Sequence, residues 1–191
     1  MLSKTYRVVG VLALLGVLQG CAALVVGGGV GAASAAHDRR TIGTQIDDKT
    51  LATRVRVKLR ENENLKEFAH VEVDVFNGVA LLVGQAPNDT LKREAQKAAE
   101  SAKNVSTLHN QVRIGPPTAV TTRTNDVWIA SKIRANLIAD KRIDGLHVKV
   151  VVEDSEVFLM GIVSEAEANT AVEIARNTKG VIKVVKVFEL R

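Results

Sequence analysis

Leu51-Ala52-Thr53-Arg54-Val55-Arg56-Val57-Lys58-Leu59 returns, residue for residue in character, as Ile129-Ala130-Ser131-Lys132-Ile133-Arg134-Ala135-Asn136-Leu137. The match continues downstream. Val71, Val73 and Val75 answer to Val148, Val150 and Val152. Asn77-Gly78 answers to Asp154-Ser155, and Leu82-Val83-Gly84 to Leu159-Met160-Gly161. Ala95, Ala98 and Ala99 answer to Ala171, Ile174 and Ala175, and Asn104-Val105 to Gly180-Val181. The order is kept with an offset of 76 to 78 residues, so the chain carries two copies of one unit.

Each copy opens with apolar residues spaced i, i+4 and i+8, which predicts a helix, capped by Asp48 in the first copy and by Asn125/Asp126 in the second. An alternating strand, a tight turn and a second strand follow, and Asn77-Gly78 is a strong hairpin signal. An Ala-rich helix then leads to a last strand, Leu108 to Ile114 or Lys183 to Glu189. The order is αββαβ. Its closing β-α-β step should cross over right-handedly, giving a mixed three-stranded sheet packed by two helices, an α+β fold. Gly115-Pro116-Pro117 and the Thr-rich stretch after it read as a linker. The expected division is 47–114 for the first domain, 115–124 for the linker and 125–191 for the second.

This pattern resembles the BON domain of bacterial osmotic-shock and outer-membrane proteins. Gly84 and Gly161 after the second strand, and Gly180-Val181 before the last one, carry the resemblance. The first copy has Asn104 in place of that last glycine, and Asn also tolerates left-handed backbone. The resemblance implies phospholipid binding without catalysis or cofactor. Some relatives carry a haemolysin label, but the sequence shows no long amphipathic hairpin that would build a pore.

The first residues read as an export signal. Lys4 and Arg7 precede an apolar run, Val8 to Leu18, that is short for a membrane span. Leu18-Gln19-Gly20-Cys21 then resembles the lipobox of bacterial lipoproteins. In that family the Cys thiol takes a diacylglycerol, the chain is cut before the Cys and the new amine is acylated. Residues 1–20 would be the signal peptide, and 21–46 the lipidated Cys21 with a Gly/Ala-rich tether. Each buried methylene is worth roughly 0.8 kcal/mol, so several acyl chains anchor firmly. Ala22 is not the Asp that retains such proteins in the inner membrane, which implies the outer membrane, facing the periplasm. Gly27-Gly28-Gly29 and Gly31 lack the Lys and Ser/Thr of a phosphate loop.

Composition narrows the chemistry. The net charge is +5, and Lys4 and Arg7 supply two of those charges, leaving a mildly basic mature chain suited to anionic partners. His37, His70, His109 and His147 are scattered without ligand spacing, so no metal site is expected. Asp47/Asp48 and Glu153/Asp154 read as caps of a helix and a turn. No catalytic residues and no small-molecule substrate are expected. Aromatics make up only 3%, too few to stack bases, so nucleic acid is not an expected partner.

The two copies control for one another. Core positions should be apolar in both, so an apolar residue facing a polar one marks the surface. Val127 aligns with Lys49, Trp128 with Thr50 and Ile138 with Arg60. On a helix, Trp128, Ser131, Ala135 and Ile138 fall on one stripe, beside the core stripe of Ile129, Ile133 and Leu137. Lys132, Arg134, Lys141 and Arg142 lie near it. Three readings are open: an anionic phospholipid face, a surface packed against the other domain, or a contact for a protein partner. The first copy has Thr50, Thr53, Val57 and Arg60 there, lacks the stripe, and should bind lipid poorly alone and serve as scaffold or partner surface. The expected function is an outer-membrane lipoprotein that binds anionic phospholipid through its second domain and supports membrane integrity, including at division sites. The alternative is an adaptor for outer-membrane assembly or division proteins. Cys21→Ser should block lipid attachment and leave the protein soluble or held by its uncleaved leader. Membrane fractionation and intact mass check this, and an outer-membrane product cut at the same place would refute the lipobox.

Overall fold

The computed structural model describes residues 38–191. The leader, Cys21 and the tether to residue 37 lie outside the described residues. From Arg39 onward the chain forms one compact unit. Its first half runs α1 (Ile42–Glu61), α2 (Glu63–Phe68), β1 (His70–Phe76), β2 (Val79–Ala86), α3 (Asp89–Glu100), β3 (Thr107–Asn110) and β4 (Arg113–Ile114). Its second half runs α4 (Val120–Ala139), a 3-10 turn (Gly145–His147), β5 (Lys149–Glu153), β6 (Glu156–Val163), α5 (Glu165–Arg176) and β7 (Lys183–Leu190). In each half a hairpin is followed by a parallel strand: β1 pairs antiparallel with β2, and β3 and β4 pair parallel with β2. Likewise β5 pairs antiparallel with β6, and β7 parallel with it. This is the αββαβ order, with one extra helical turn or short helix before each first strand. In the first sheet the last strand is interrupted at Gln111-Val112, where the Asn110 side chain accepts from the Val112 N–H at 3.1 Å.

The first helices start earlier than the sequence suggests. Helix α1 is capped by Thr41, whose hydroxyl accepts from the Thr44 N–H at 3.1 Å, and α4 begins at Val120 inside the stretch read as a linker. Asp48 and Asp126 are therefore not helix caps. Both lie inside a helix, only 4% exposed. The Asp48 carboxylate accepts from the N–H groups of Asn77 and Gly78 at 2.7 and 2.8 Å. Asp126 accepts from Asp154 and Ser155, both at 2.8 Å. Those four residues are the hairpin turns, and all have positive φ. A carboxylate that accepts two backbone N–H groups suits either a helix end or a turn, so sequence alone could not separate the two. In the first half Arg40 also reaches Asp48, at 2.6 Å, and stacks on the Phe76 ring at 3.8 Å.

Gly84 and Gly161 sit within the second strands. A Cβ there would lie 1.9 Å from the carbonyl oxygen of His70, or 2.3 Å from that of His147, so the edge strand can close onto its neighbour only against glycine. Asn104 takes the same left-handed backbone as Gly180, with φ of 74° and 99°.

Three apolar cores hold the unit together. Ala80, Leu82 and Ala86 of β2 face α1 and α3, while Val157, Leu159 and Val163 of β6 face α4 and α5. The intervening residues point the other way. Leu81 and Val83 meet Phe158 and Met160, with Phe76 and Val187 completing a third core. The two sheets thus pack face to face, with the helices outside, in four layers. Polar pairs close the rim of this seam. Lys149 meets Asp74 at 2.6 Å, Arg113 meets Asp154 at 2.9 Å, and Gln85 donates to Glu153 at 2.6 Å. Burial pushes the Glu153 carboxyl above its ordinary range, against the opposing effect of the Gln85 hydrogen bond. All three cores close within residues 39–191, so this unit holds what it needs to fold alone.

Arg39 fastens the start of the unit to its second half. Its guanidinium donates to the Ile162 carbonyl at 2.6 Å and to the Glu167 carboxylate at 2.7 and 3.0 Å. Glu167 also accepts from the Ser164 N–H at 2.7 Å in the capping box of α5. The Arg39 hydrogen bonds, chiefly, hold the Glu167 carboxyl at about 2, below its ordinary 4.5.

Two measurements test these links. Asp126→Ala leaves two turn N–H groups without acceptors and should lower unfolding free energy by on the order of 2–4 kcal/mol, read by urea denaturation. An unchanged midpoint would mean that the turn does not need the carboxylate. Glu167 has a depressed folded-state pKa, so its stabilisation is present above about 4.5 and lost as pH falls toward about 2. Arg39→Ala should return this carboxyl toward 4.5 in an NMR titration and reduce the acid sensitivity in that window. A Glu167 titration that stays near 2 in the variant would show that Arg39 is not the cause.

Candidate functional site

Helix α4 buries Ile129, Ala130, Ile133 and Leu137 against its sheet. Trp128 lies on the opposite side and is 52% exposed, with Val127 and Ile138 more open still. The domain seam is built by other residues, so Trp128 does not pack between the domains. The face is also longer than the sequence suggested. Val120 is 69% exposed and lies on the same side at i−8 from Trp128, with Thr124 between them. From Val120 to Ile138 the stripe runs about 27 Å at 1.5 Å per residue. The spacing Val120, Thr124, Trp128 was a readable signal, hidden by the adjacent prolines. The hydroxyls of Thr124 and Ser131 donate to the carbonyls of Val120 and Val127 at 3.0 and 2.8 Å. Their polar atoms are thereby engaged by the helix itself, and the exposed Ala135 adds a methyl.

The four basic residues divide into two kinds. Lys132 stacks on the Trp128 ring, its ammonium 4.2 Å from the centroid. Lys141 is exposed just beyond the helix end. Arg134 instead donates to the Val150 carbonyl at 2.7 Å, as Arg56 does to Val73 at 3.1 Å in the first half, so it ties helix to sheet. Arg142 is held by Asp140 at 2.8 Å and Glu173 at 3.0 Å. The Arg142 side chain and backbone hydrogen bonds bring the Asp140 carboxyl down to about 2, and both acids raise the Arg142 pKa. Lys132 and Lys141 are therefore the cations positioned for an external anion, while Arg134 and Arg142 have internal partners.

Because α1 starts at Ile42, the first half is less bare than expected. Ile42, Ile46 and Val57 are exposed on one side, with Thr50 and Thr53 turning their hydroxyls onto the helix carbonyls at 2.9 Å. Lys49 and Arg60 stand where α4 has Val127 and Ile138, and no aromatic is present. An opening of about 400 Å³ lies between the edge strands and is lined by His70, Glu72, Asp74, Arg123, Lys149 and Glu153. Lys149 is paired with Asp74, and Arg123 comes within 3.5 Å of His70. Among the described residues no cluster of His, Cys, Asp or Glu could hold a metal, and no helix is long and apolar enough to cross a membrane.

Comparison with known proteins agrees with this architecture. The family model of the BON domain matches twice, over residues 47–116 and 125–191. The outer membrane lipoprotein DolP of Haemophilus influenzae is 38% identical over 172 residues, covering 90% of this chain and 89% of that protein. The 21 kDa hemolysin of Actinobacillus pleuropneumoniae is 41% identical, covering 79% of this chain and 78% of its own length. The osmotically-inducible protein Y of Escherichia coli is 30% identical, covering 75% and 72%. With two matching domains, the same strand order and relatives aligned over most of their length, among them an outer membrane lipoprotein, this chain is a two-domain member of the BON family.

Proposed function

We propose that this lipoprotein faces the periplasm, binds anionic phospholipid through the outer side of α4, and so supports the integrity of the outer membrane, including at division sites. One observation carries this reading. The single Trp of the chain stands half-exposed on a helix face turned away from the core, with a lysine stacked on its ring. Trp favours the boundary where its ring is buried and its N–H stays wet. A cation beside it meets anionic head groups, at about 1 kcal/mol per residue near the surface. Lys132 and Lys141 supply that attraction, and the apolar stripe supplies the depth. The catalytic role is left empty: the protein would act by binding, and no cofactor is needed for it.

Trp128→Ala tests the reading. About half of a ring of ~200 Å² is free to insert, which at ~25 cal/mol per Å² amounts to about 2.5 kcal/mol. Affinity for phosphatidylglycerol-containing vesicles should fall at least tenfold, and the melting temperature should hardly move, since Thr50 fills the equivalent place in the first half. Added salt should weaken binding by the unaltered protein. Normal vesicle binding by the variant would sink the membrane face. No vesicle binding by either protein would favour the adaptor role, with the same stripe docking a protein.

A further inference from the structure

We propose that Leu146 is a second point of membrane insertion, so that the bilayer-facing surface is built from two elements, α4 and the Gly145–His147 turn. This rests on the lipid-binding reading of α4 and extends it. Leu146 is 48% exposed, which alone would mean little, because single exposed leucines are common. Its placement is what matters. Gly145 is pressed so tightly onto the end of α4 that a Cβ there would lie 2.5 to 2.6 Å from the backbone of Leu137 and Ile138. Consecutive Cα atoms are 3.8 Å apart, so the Leu146 backbone lies one residue from this contact with the end of α4, where Ile138 is the exposed last member of the stripe. The turn is also held firmly. Asp144 caps it by accepting from the Leu146 N–H at 3.1 Å, and lies 3.6 Å from His147 Nε2. Exposed Lys141 sits in the short loop joining the two elements.

A separate observation points to a membrane as the occupant. Arg39, where the folded unit begins, is clamped to Ile162 and Glu167. Glu167 lies 4.0 Å from His147, the residue next to Leu146. The chain leading back to Cys21 therefore joins the unit beside this turn. The intervening residues 22–38 can reach no further than about 60 Å when fully extended. A lipid-anchored chain tied at that point keeps the unit within that reach of the bilayer, and the point of attachment is nearest the Leu146 end of α4. Phe68 offers the matching control. It is 50% exposed just before β1, the same place in the first half, but it belongs to the opposite outer layer.

The experiment uses the unit 39–191, which contains no cysteine because Cys21 is the only one in the sequence. Leu146→Cys and Phe68→Cys are each labelled with an environment-sensitive dye and mixed with phosphatidylethanolamine–phosphatidylglycerol vesicles. Trp128 fluorescence reports binding in both. The dye at 146 should shift to the blue and be quenched by spin labels on the acyl chains, while the dye at 68 should stay in water. Leu146→Gln should weaken vesicle affinity roughly fivefold with an unchanged melting temperature. A Trp128 shift with the 146 dye still in water would overturn the proposal and leave the α4 face intact. Silence from both probes would overturn the two together. Equal shifts at 68 and 146 would mean indiscriminate adsorption, and would also overturn it.

Discussion

Strands β2 and β6 are buried on both faces, and the rest of the structure depends on this. A strand with one wet face can alternate apolar and polar residues. Val79–Ala86 and Glu156–Val163 instead run almost unbroken in apolar side chains. One face of each strand closes on its own helices, and the other closes on the opposite sheet through Leu81, Val83, Phe158 and Met160. Each of those large side chains contributes about 1.5–3 kcal/mol when fully buried. Two small domains, each marginal in size, thereby share one interior. Separating them would expose the shared face, so the halves are better understood as layers of one body than as beads on a string. The same packing directs α1 and α4 outward and leaves their far sides free for contact.

Within each layer, the duplicated sequence preserves a second constraint. A buried aspartate in the first helix accepts the two N–H groups of the hairpin turn, and an arginine from the same helix reaches a carbonyl of the first strand. These links fix helix against sheet at two points in both halves. They explain why Asp48 and Asp126, and Arg56 and Arg134, survive in register while the outward positions drift. Sequence comparison places such residues correctly without saying what they do. Arg134 looks like part of a basic patch, and only the structure shows its guanidinium tied to the Val150 carbonyl.

Much of the fold was legible because its signals are local. The hairpin at Asn77-Gly78, the alternation of Val71, Val73 and Val75, and the glycines at 84 and 161 each act within a few residues. What stayed hidden was longer in range. The start of α4 at Val120 was masked by Pro116 and Pro117, which end one element without forbidding another soon after. The seam between the sheets was written in the double-sided apolarity of β2 and β6. That pattern tells of burial on both faces but not of the partner. The Trp128 face was visible because one copy served as a control for the other. Its partition into free and engaged cations was not, because Asp140 and Glu173 come together with Arg142 only after folding.

Duplication also accounts for the asymmetry between the two outer helices. Positions that face the shared interior are held by packing, since a change of one methylene there is felt. Positions on the far side of α1 and α4 carry no such load. Thr50 and Trp128 occupy equivalent places and neither is needed for the fold, so one could become aromatic without cost to its partner. The same freedom let Lys49 and Arg60 remain charged where Val127 and Ile138 are apolar. The scaffold thus offers two outward helices and specialises one. It is the outward helix of the second half that has the ring and the apolar stripe, and Arg39 clamps the start of the unit to β6 and α5 of that same half. On the proposed reading, in which Cys21 carries the lipid and α4 meets the bilayer, anchor and contact face act on one membrane, and the weak affinity of a single half-exposed Trp suffices because the anchor keeps the local lipid concentration high.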